Sequence, residues 1–198
     1  MKKVLLCLLT IILVIVCIST TSTNNQKGRE LLKTKENLIM MQSMEEAKFK
    51  ISGYTIDNPN IIVDPYKSSP LTALILFETK ESVSPKVTIV GKDENTTLTH
   101  KFNKSKKHYL SIYGLYPDSE NEITVEYKNI KKVFKIKTDK LPDGFILPTS
   151  VKANKEKLSN DFYFYSPSST GYTAAYDVNG DVRWYLSYNA IWDIERLK

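Results

Sequence analysis

The sequence predicts a mainly β fold, in which a helical segment precedes an antiparallel β-sandwich and the truncated start of a β-propeller. After Ile51 the chain has seven short β-rich runs separated by turn residues, as expected for the strands of a sandwich. A hairpin pattern over 176–189 indicates a further sheet beyond a proline-containing boundary. With 198 residues, 41% apolar and 25% charged, the chain is long enough to bury a core.

Residues 1–23 have the pattern of an export signal. Two lysines precede an apolar run over 4–18, and a polar Ser/Thr/Asn stretch follows it. The run is shorter than the roughly 20 apolar residues that span a bilayer, which favours a cleaved signal over a membrane anchor. Cys17 follows Val16 rather than a small residue, so a lipoprotein is a less favoured alternative. We expect an exported, periplasmic or cell-surface protein that contacts the membrane only through this segment.

Cysteine positions and charge pattern argue against several classes of site and partner. Both cysteines, Cys7 and Cys17, lie within the signal, so the mature chain would have neither a disulfide nor a cysteine metal site. The formal charge is +6, but the lysines are interspersed with carboxylates rather than gathered in a basic block. We therefore expect no nucleic-acid binding.

Residues 24–50 are predicted to be a helical segment. The stretch is rich in helix-forming residues, and it enters through Gly28. Apolar side chains recur near the spacing of one helix face and are expected to pack on a neighbour: Leu31, Leu32, Leu38, Met41 and Met44.

Residues 51–140 are predicted to be an antiparallel β-sandwich of the immunoglobulin or fibronectin kind. In the sixth run, Ile123, Val125 and Tyr127 alternate with polar residues and should share one face. Pro117 fixes a turn before this run, as at a corner of fibronectin-like sandwiches. The predicted strands lie in the runs NIIVDPY, LTALILFET, KVTIVG, TTLTHKF, HYLSIYGL, NEITVEY and KKVFKIKT.

Residues 141–198 are predicted to be a linker followed by an incomplete first propeller blade. Asn179–Gly180 favours a two-residue type I′ turn, because both residues tolerate positive φ. The arm after the turn should place Val182, Trp184 and Leu186 on one face and Arg183 on the opposite, exposed face.

The same hairpin imitates the start of a calcium loop, an interpretation that we do not favour. Asp177, Asn179 and Asp181 have the spacing of the first ligands. However, Val182 stands where such a loop needs glycine, and no Glu follows at the last ligand position. We expect no metal and no cofactor in this chain.

The hairpin is too small to stand alone, because an isolated pair of strands is marginal in water. The stretch after the boundary is roughly one blade long, whereas a closed propeller needs at least about four blades. Without neighbouring blades, the last part of the chain should expose apolar side chains: Trp184, Tyr185, Leu186, Ile191 and Trp192.

The residues from Pro59 to Lys198 resemble a known family, the bacterial aryl-sulfate sulfotransferases. The sandwich is similar to the N-terminal domain of that family, and the hairpin is similar to its first blade. Ser111 and Asp64 depart from the family pattern, which tends to have Pro and Asn there. The most specific matching stretches are SPLTALILFET, VTIVGKD, IYGLYPDSEN and DVNGDVRWYL.

The resemblance implies an exported enzyme that moves a sulfuryl group from a phenolic sulfate ester to a phenol. It also implies a histidine that becomes transiently sulfated, assisted by further His and Arg residues inside a six-bladed propeller. Imidazole is a competent nucleophile near neutral pH, and cations can hold the charge on the transferring oxygens. These residues would belong to later blades.

We therefore assign no catalytic, cofactor-binding or metal-binding residue in this chain. His100 is interpreted as a surface or strand-edge residue, and His108 as a structural residue near the sandwich edge. Neither Arg183 nor Arg196 receives a catalytic role.

Two interpretations of function remain open at the level of sequence. In the first, the chain is an N-terminal fragment of the sulfotransferase and is inactive alone, with donor and acceptor phenols as partners of the intact enzyme. In the second, it is a free-standing exported β-sandwich module that binds a partner or glycan. The sequence leaves a homodimer open in both cases, and a non-functional remnant is a third alternative.

Overall fold

The computed structural model describes residues 43–44, 47–152, 162–166 and 171–187. Residues 50–198 belong to one compact unit, and the described part of that unit contains ten strands and one short 3-10 helix, Glu94–Thr96. The predicted signal and most of the predicted helical segment lie outside the described residues. Within the described ranges, no helix has the length and apolar character needed to cross a bilayer.

All seven predicted sandwich strands are present, which confirms the mainly β, antiparallel prediction. They are β1 (Asn60–Val63), β2 (Thr72–Val83), β3 (Lys86–Ile89), β4 (Leu98–Lys101), β5 (Ser105–Tyr113), β6 (Glu120–Tyr127) and β7 (Ile130–Lys137). One sheet has the order β1-β2-β5 and the other has the order β4-β3-β6-β7. Every pairing in both sheets is antiparallel.

The core of the sandwich lies between these two sheets. Ile75 and Phe77 of β2 are fully buried, as are Ile123 and Val125 of β6, and all four belong to one hydrophobic cluster. The predicted inward face of β6 is correct, since Tyr127 joins the same cluster. Apolar alternation along β6 therefore contributes one face of that strand to the core, because successive side chains of a strand point to opposite faces.

A third, smaller sheet follows the sandwich in sequence. It contains β8 (Tyr163–Tyr165), β9 (Ala174–Tyr176) and β10 (Val182–Tyr185), in the antiparallel order β10-β9-β8. This sheet joins neither sheet of the sandwich, yet Ala174, Val182 and Tyr185 belong to the sandwich's hydrophobic cluster. The predicted boundary near Leu141 therefore separates the sheets but not the core.

The prediction of a two-residue type I′ turn at Asn179–Gly180 is wrong. Gly180 has a φ of 80°, whereas Asn179 is not among the residues with positive φ. The Gly180 N–H donates to the Asp177 carbonyl (2.9 Å), and the Asp177 N–H donates to the Asp181 carbonyl (3.0 Å). The connection is thus a three-residue loop with glycine in the left-handed position. The Asp177 side chain favours this loop, because it accepts the N–H groups of Asn179 and Asp181.

The prediction that Arg183 is exposed is also wrong. In the pairing of β10 with β9, Val182 faces Tyr176 and Trp184 faces Ala175, so Arg183 is the extra residue of a β-bulge. A bulge shifts the alternation of side chains by one position. Arg183 consequently points into the protein and is 0% exposed.

Candidate functional site

Arg183 is the centre of a buried polar cluster that joins the third sheet to the sandwich. Its Nε donates to the Gly114 carbonyl (2.8 Å), just beyond the end of β5. Its Nη1 donates to the Thr96 carbonyl (3.0 Å) and to the Tyr116 hydroxyl (2.8 Å). One guanidinium group from β10 thus contacts two separate segments of the sandwich, the loop after β5 and the short 3-10 helix, and we call this cluster the arginine joint.

Asp177 neutralises the buried guanidinium. Its Oδ2 lies 3.0 Å from Nη1 of Arg183, and the two side chains are only 4% and 0% exposed. The same oxygen accepts from the Tyr116 hydroxyl (3.3 Å). Because Oδ1 accepts two backbone N–H groups of the hairpin loop, the loop geometry and the ion pair depend on the same carboxylate. A buried ion pair needs such additional hydrogen bonds to offset its desolvation.

Tyr116 presents both its ring and its hydroxyl to the joint. The Arg183 guanidinium carbon lies 3.9 Å from the ring centroid, a cation–π geometry. The backbone of Tyr116 is fixed by Asn121, whose Oδ1 accepts from the Tyr116 N–H (2.7 Å) and whose Nδ2 donates to its carbonyl (3.0 Å). The Thr138 hydroxyl donates to the same carbonyl. The predicted corner before β6 is therefore a hydrogen-bonded clamp that positions Tyr116.

A second set of contacts surrounds the joint. The short 3-10 helix begins with a capping box, in which the Asp93 side chain accepts from the Thr96 N–H (3.1 Å). The other carboxylate oxygen of Asp93 accepts from the Asn179 amide (2.8 Å). Lys92 forms a more exposed ion pair with Asp181 (2.7 Å). The middle of the hairpin loop and the residue that follows it are thus attached to the loop between β3 and β4.

One donor of the joint is left over. Nη2 of Arg183 is buried and has no hydrogen-bond partner among the described residues. Buried polar groups are generally satisfied, which makes this nitrogen an exception among the described residues.

The two histidines lie away from the arginine joint. His108 is buried on β5, stacks on Phe77 with 4.6 Å between ring centroids, and has a ring nitrogen 2.9 Å from the Thr79 hydroxyl. Burial lowers the pKa of the His108 imidazole below its usual value. His100 is exposed on β4, an end strand of its sheet. Within the described part of the chain, no hydrogen bond connects either histidine to Arg183.

The sequence pattern does not predict the arginine joint. It predicts an exposed Arg183 and relates Asp177 only to an imitation of a calcium loop, and it gives Tyr116 no role. Among the described residues, no three His, Cys, Asp or Glu side chains are arranged to hold a metal ion. One feature of the sequence could have indicated a buried ion pair here. An arginine stands between apolar strand residues, six positions after an aspartate. Arg196 lies outside the described residues.

The third sheet exposes aromatic surface at its β8 end. Tyr163, Phe164 and Tyr165 are 47%, 55% and 60% exposed. This differs from the predicted set, because Tyr185 is buried and Trp184 and Leu186 are half-buried, while the other two predicted residues lie outside the described ranges. A groove of about 700 Å³ runs between this sheet and the preceding linker, lined by residues that include Ile146, Leu147, Pro148, Val151, Tyr163, Tyr165, Tyr176 and Val178.

Comparison with known proteins relates the sandwich to one family. Residues 60–141 match the arylsulfotransferase Ig-like domain. Arylsulfate sulfotransferase AssT of Escherichia coli O6:H1 is 36% identical over 98 residues, and the corresponding protein of Lelliottia amnigena is 33% identical over 99 residues. Each match covers 48% of this chain but 15% of the relative, so the chain spans only a small part of the length of these relatives. The similarity to the arylsulfotransferase family thus extends over about half of this chain, and residues 60–141 match the Ig-like domain of that family.

Proposed function

We propose that this chain is the N-terminal part of an exported aryl-sulfate sulfotransferase. The intact enzyme would move a sulfuryl group from a phenolic sulfate ester to a phenol. The family match of residues 60–141 and the similarity to two arylsulfate sulfotransferases support this proposal. In this proposal the Ig-like domain positions the first sheet of a propeller, and the arginine joint holds that sheet.

The arginine joint is the observation that favours this role most. The third sheet is attached to the sandwich by the hydrogen bonds of Arg183 to Gly114, Thr96 and Tyr116 and by shared core residues. Its β8 end exposes aromatic side chains along a groove. Sheets bury such faces by packing on further sheets about 10 Å away. An adjacent propeller blade would cover the groove in this way.

The proposed chemistry is displacement at sulfur by an imidazole. The imidazole nitrogen forms a bond to sulfur while the bond from sulfur to the phenolic oxygen breaks, and a phenolate leaves. The acceptor phenol then takes the sulfuryl group, loses its proton and regenerates the imidazole. Cationic side chains must face the transferring oxygens.

We propose that neither described histidine performs this reaction. His108 is 2% exposed, and one of its ring nitrogens is engaged by Thr79, so sulfur cannot approach it. His100 makes an edge-on contact with Phe102 and forms no ion pair or hydrogen bond with an Arg or Lys of the described residues. The reactive histidine is therefore assigned to a part of the enzyme outside these residues.

A sulfuryl-transfer assay tests this assignment. The purified 198-residue chain should release no p-nitrophenol from p-nitrophenyl sulfate above background in the presence of phenol. Turnover that is lost in His108→Ala but retained in His100→Ala would contradict the assignment, because it would place the nucleophile in the sandwich.

The proposed architecture has a separate test in the gene. The nucleotide sequence beyond the codon for Lys198 should continue into codons for further β-rich blades that contain histidine. A stop codon at that point in the native gene, together with a stable, monodisperse product, would favour the free-standing binding module instead.

A further inference from the structure

A cavity, which we call the slot, opens at the side of the sandwich between an edge strand of one sheet and an edge strand of the other. β4 is the last strand of one sheet and β5 is the last strand of the other, so no described strand closes the gap between them. The slot has a volume of about 320 Å³. Its walls are apolar or aromatic and include Val87, Ile89, Leu98, Phe102, Tyr113 and Phe162.

One end of this slot already holds an aromatic ring. Phe162 comes from the segment just before β8, and its ring packs over Gly114, at the end of β5. A Cβ atom at Gly114 would lie 2.6 Å from Leu98 Cδ1 and 2.8 Å from Phe162 Cζ. The ring is thus seated in a notch that a side chain at position 114 would fill. The walls therefore suit a planar aromatic ring, and the remaining volume has the same lining.

The slot is lined by a few polar side chains, and none of those in the described part of the chain is a carboxylate, an amine or a guanidinium group. The described lining contains neither Lys or Arg nor Asp or Glu, while Thr99, His100 and Ser111 contribute two hydroxyls and an imidazole. The Thr99 hydroxyl lies 3.2 Å from the Thr88 hydroxyl, whereas the side chains of His100 and Ser111 make no hydrogen bond to another described residue. The His100 ring stands edge-on to Phe102, with 4.7 Å between centroids. An apolar cavity with a few polar groups selects an uncharged ligand that carries one hydrogen-bonding group.

We propose that this slot binds a small, uncharged aromatic molecule with a hydroxyl group, such as a simple phenol. The ring would lie against Leu98, Phe102 and Phe162, and the hydroxyl would face His100. The volume is near the lower limit of small-molecule pockets, roughly 300 Å³, which favours a single ring. The proposal does not rest on the sulfotransferase assignment, because it uses only the sandwich and the ring of Phe162.

Phenol itself is the probe for this proposal. Titration of the uniformly ¹⁵N,¹³C-labelled 198-residue chain should give saturable amide shifts at Thr99, His100 and Ser111. Phenol ring protons should give nuclear Overhauser effects to methyl groups of Leu98 and Val87. Cyclohexanol, which has similar size but no aromatic ring, and benzenesulfonate, which has a ring but a negative charge, should each bind several-fold more weakly.

A variant that fills the slot provides the matched test. Ser111→Trp should weaken phenol binding by roughly tenfold or more, because the indole takes the place of the ligand. Lys107→Trp, on the same strand but outside the slot, should leave the affinity unchanged. The proposal is wrong if shifts do not saturate, if the Overhauser effects map to other residues, or if Ser111→Trp binds phenol as the wild type does. Should Ser111→Trp fail to fold, the Overhauser pattern of the wild-type chain decides.

Discussion

The contacts inside the sandwich differ in kind from those at the arginine joint, which attaches the third sheet to the sandwich. Between the two sheets of the sandwich, buried side chains such as Ile75, Phe77 and Ile123 make apolar contacts, which are not directional. Between the sandwich and the third sheet, Arg183 adds hydrogen bonds of fixed geometry to Gly114 and Thr96, while Asp177 of its own hairpin balances its charge. Apolar burial supplies stability, whereas the directional hydrogen bonds of Arg183 fix how the third sheet is attached.

The largest effect is expected from Arg183→Met, which leaves the Asp177 carboxylate buried without its partner. Breaking a buried ion pair in this way costs about 3–5 kcal/mol. We expect the loss to be local to the third sheet. Hydrogen exchange should therefore show lower amide protection in β9 and β10, with the protection of β2 and β6 retained.

Two further variants check this explanation. Adding Asp177→Asn to Arg183→Met should recover part of the lost stability, because no unpaired charge then stays buried. Lys92→Met, which breaks the more exposed pair with Asp181, should cost only about 0–1 kcal/mol. Equal losses in Lys92→Met and Arg183→Met would contradict the importance of burial at the joint.

The next largest difference is expected between conservative substitutions in the two regions, measured as the loss in free energy of unfolding. Arg183→Lys keeps the charge but loses the forked donors that reach Gly114, Thr96 and Tyr116, at a cost of about 2–3 kcal/mol. Ile75→Leu keeps the volume of a fully buried core residue and should cost less than about 1.5 kcal/mol. Urea unfolding of both variants measures the difference. A larger loss for Ile75→Leu would mean that the core is the more specific region.

The smallest expected effect concerns acid stability of the sandwich. Burial lowers the pKa of His108, so below about pH 6.5 the unfolded chain binds more protons than the folded chain does. The free energy of unfolding should therefore fall as the pH is lowered from 6.5 towards the folded pKa, by at most about 1.4 kcal/mol per pH unit. Above this window, His108 should contribute no pH dependence.

Chemical denaturation at a series of pH values measures this slope. His108→Gln should flatten it, because glutamine stays neutral in both states. His100→Gln is the matched control, since it removes the other histidine from an exposed position. The interpretation fails if both variants change the slope equally.

The sequence was sufficient to predict the sandwich but not the joint. Short β-rich runs separated by turn residues identified the seven strands, because both the strand-forming residues and the turn residues are local features of the sequence. The joint depends on a β-bulge at Arg183, and a bulge depends on how β10 pairs with β9. Tyr116 and Arg183 are 67 positions apart, and no periodicity relates residues at such a separation.

The hairpin loop shows the same limitation at shorter range. The pair Asn179–Gly180 predicted a two-residue turn from its own preferences alone. The observed loop is three residues long, because the Asp177 carboxylate binds two of its N–H groups while also pairing with Arg183. The preference of the Asn179–Gly180 pair was thus overridden by contacts that Asp177 makes within the same hairpin.

Gly114 belongs to both the arginine joint and the slot beside β4. Its carbonyl accepts from Arg183, while its missing side chain makes room for the ring of Phe162. With a φ of 85° and no space for a Cβ atom, this position resists replacement by any other residue. A single mutational event at this codon would disturb both neighbourhoods together, so natural selection cannot adjust one of them at Gly114 without altering the other.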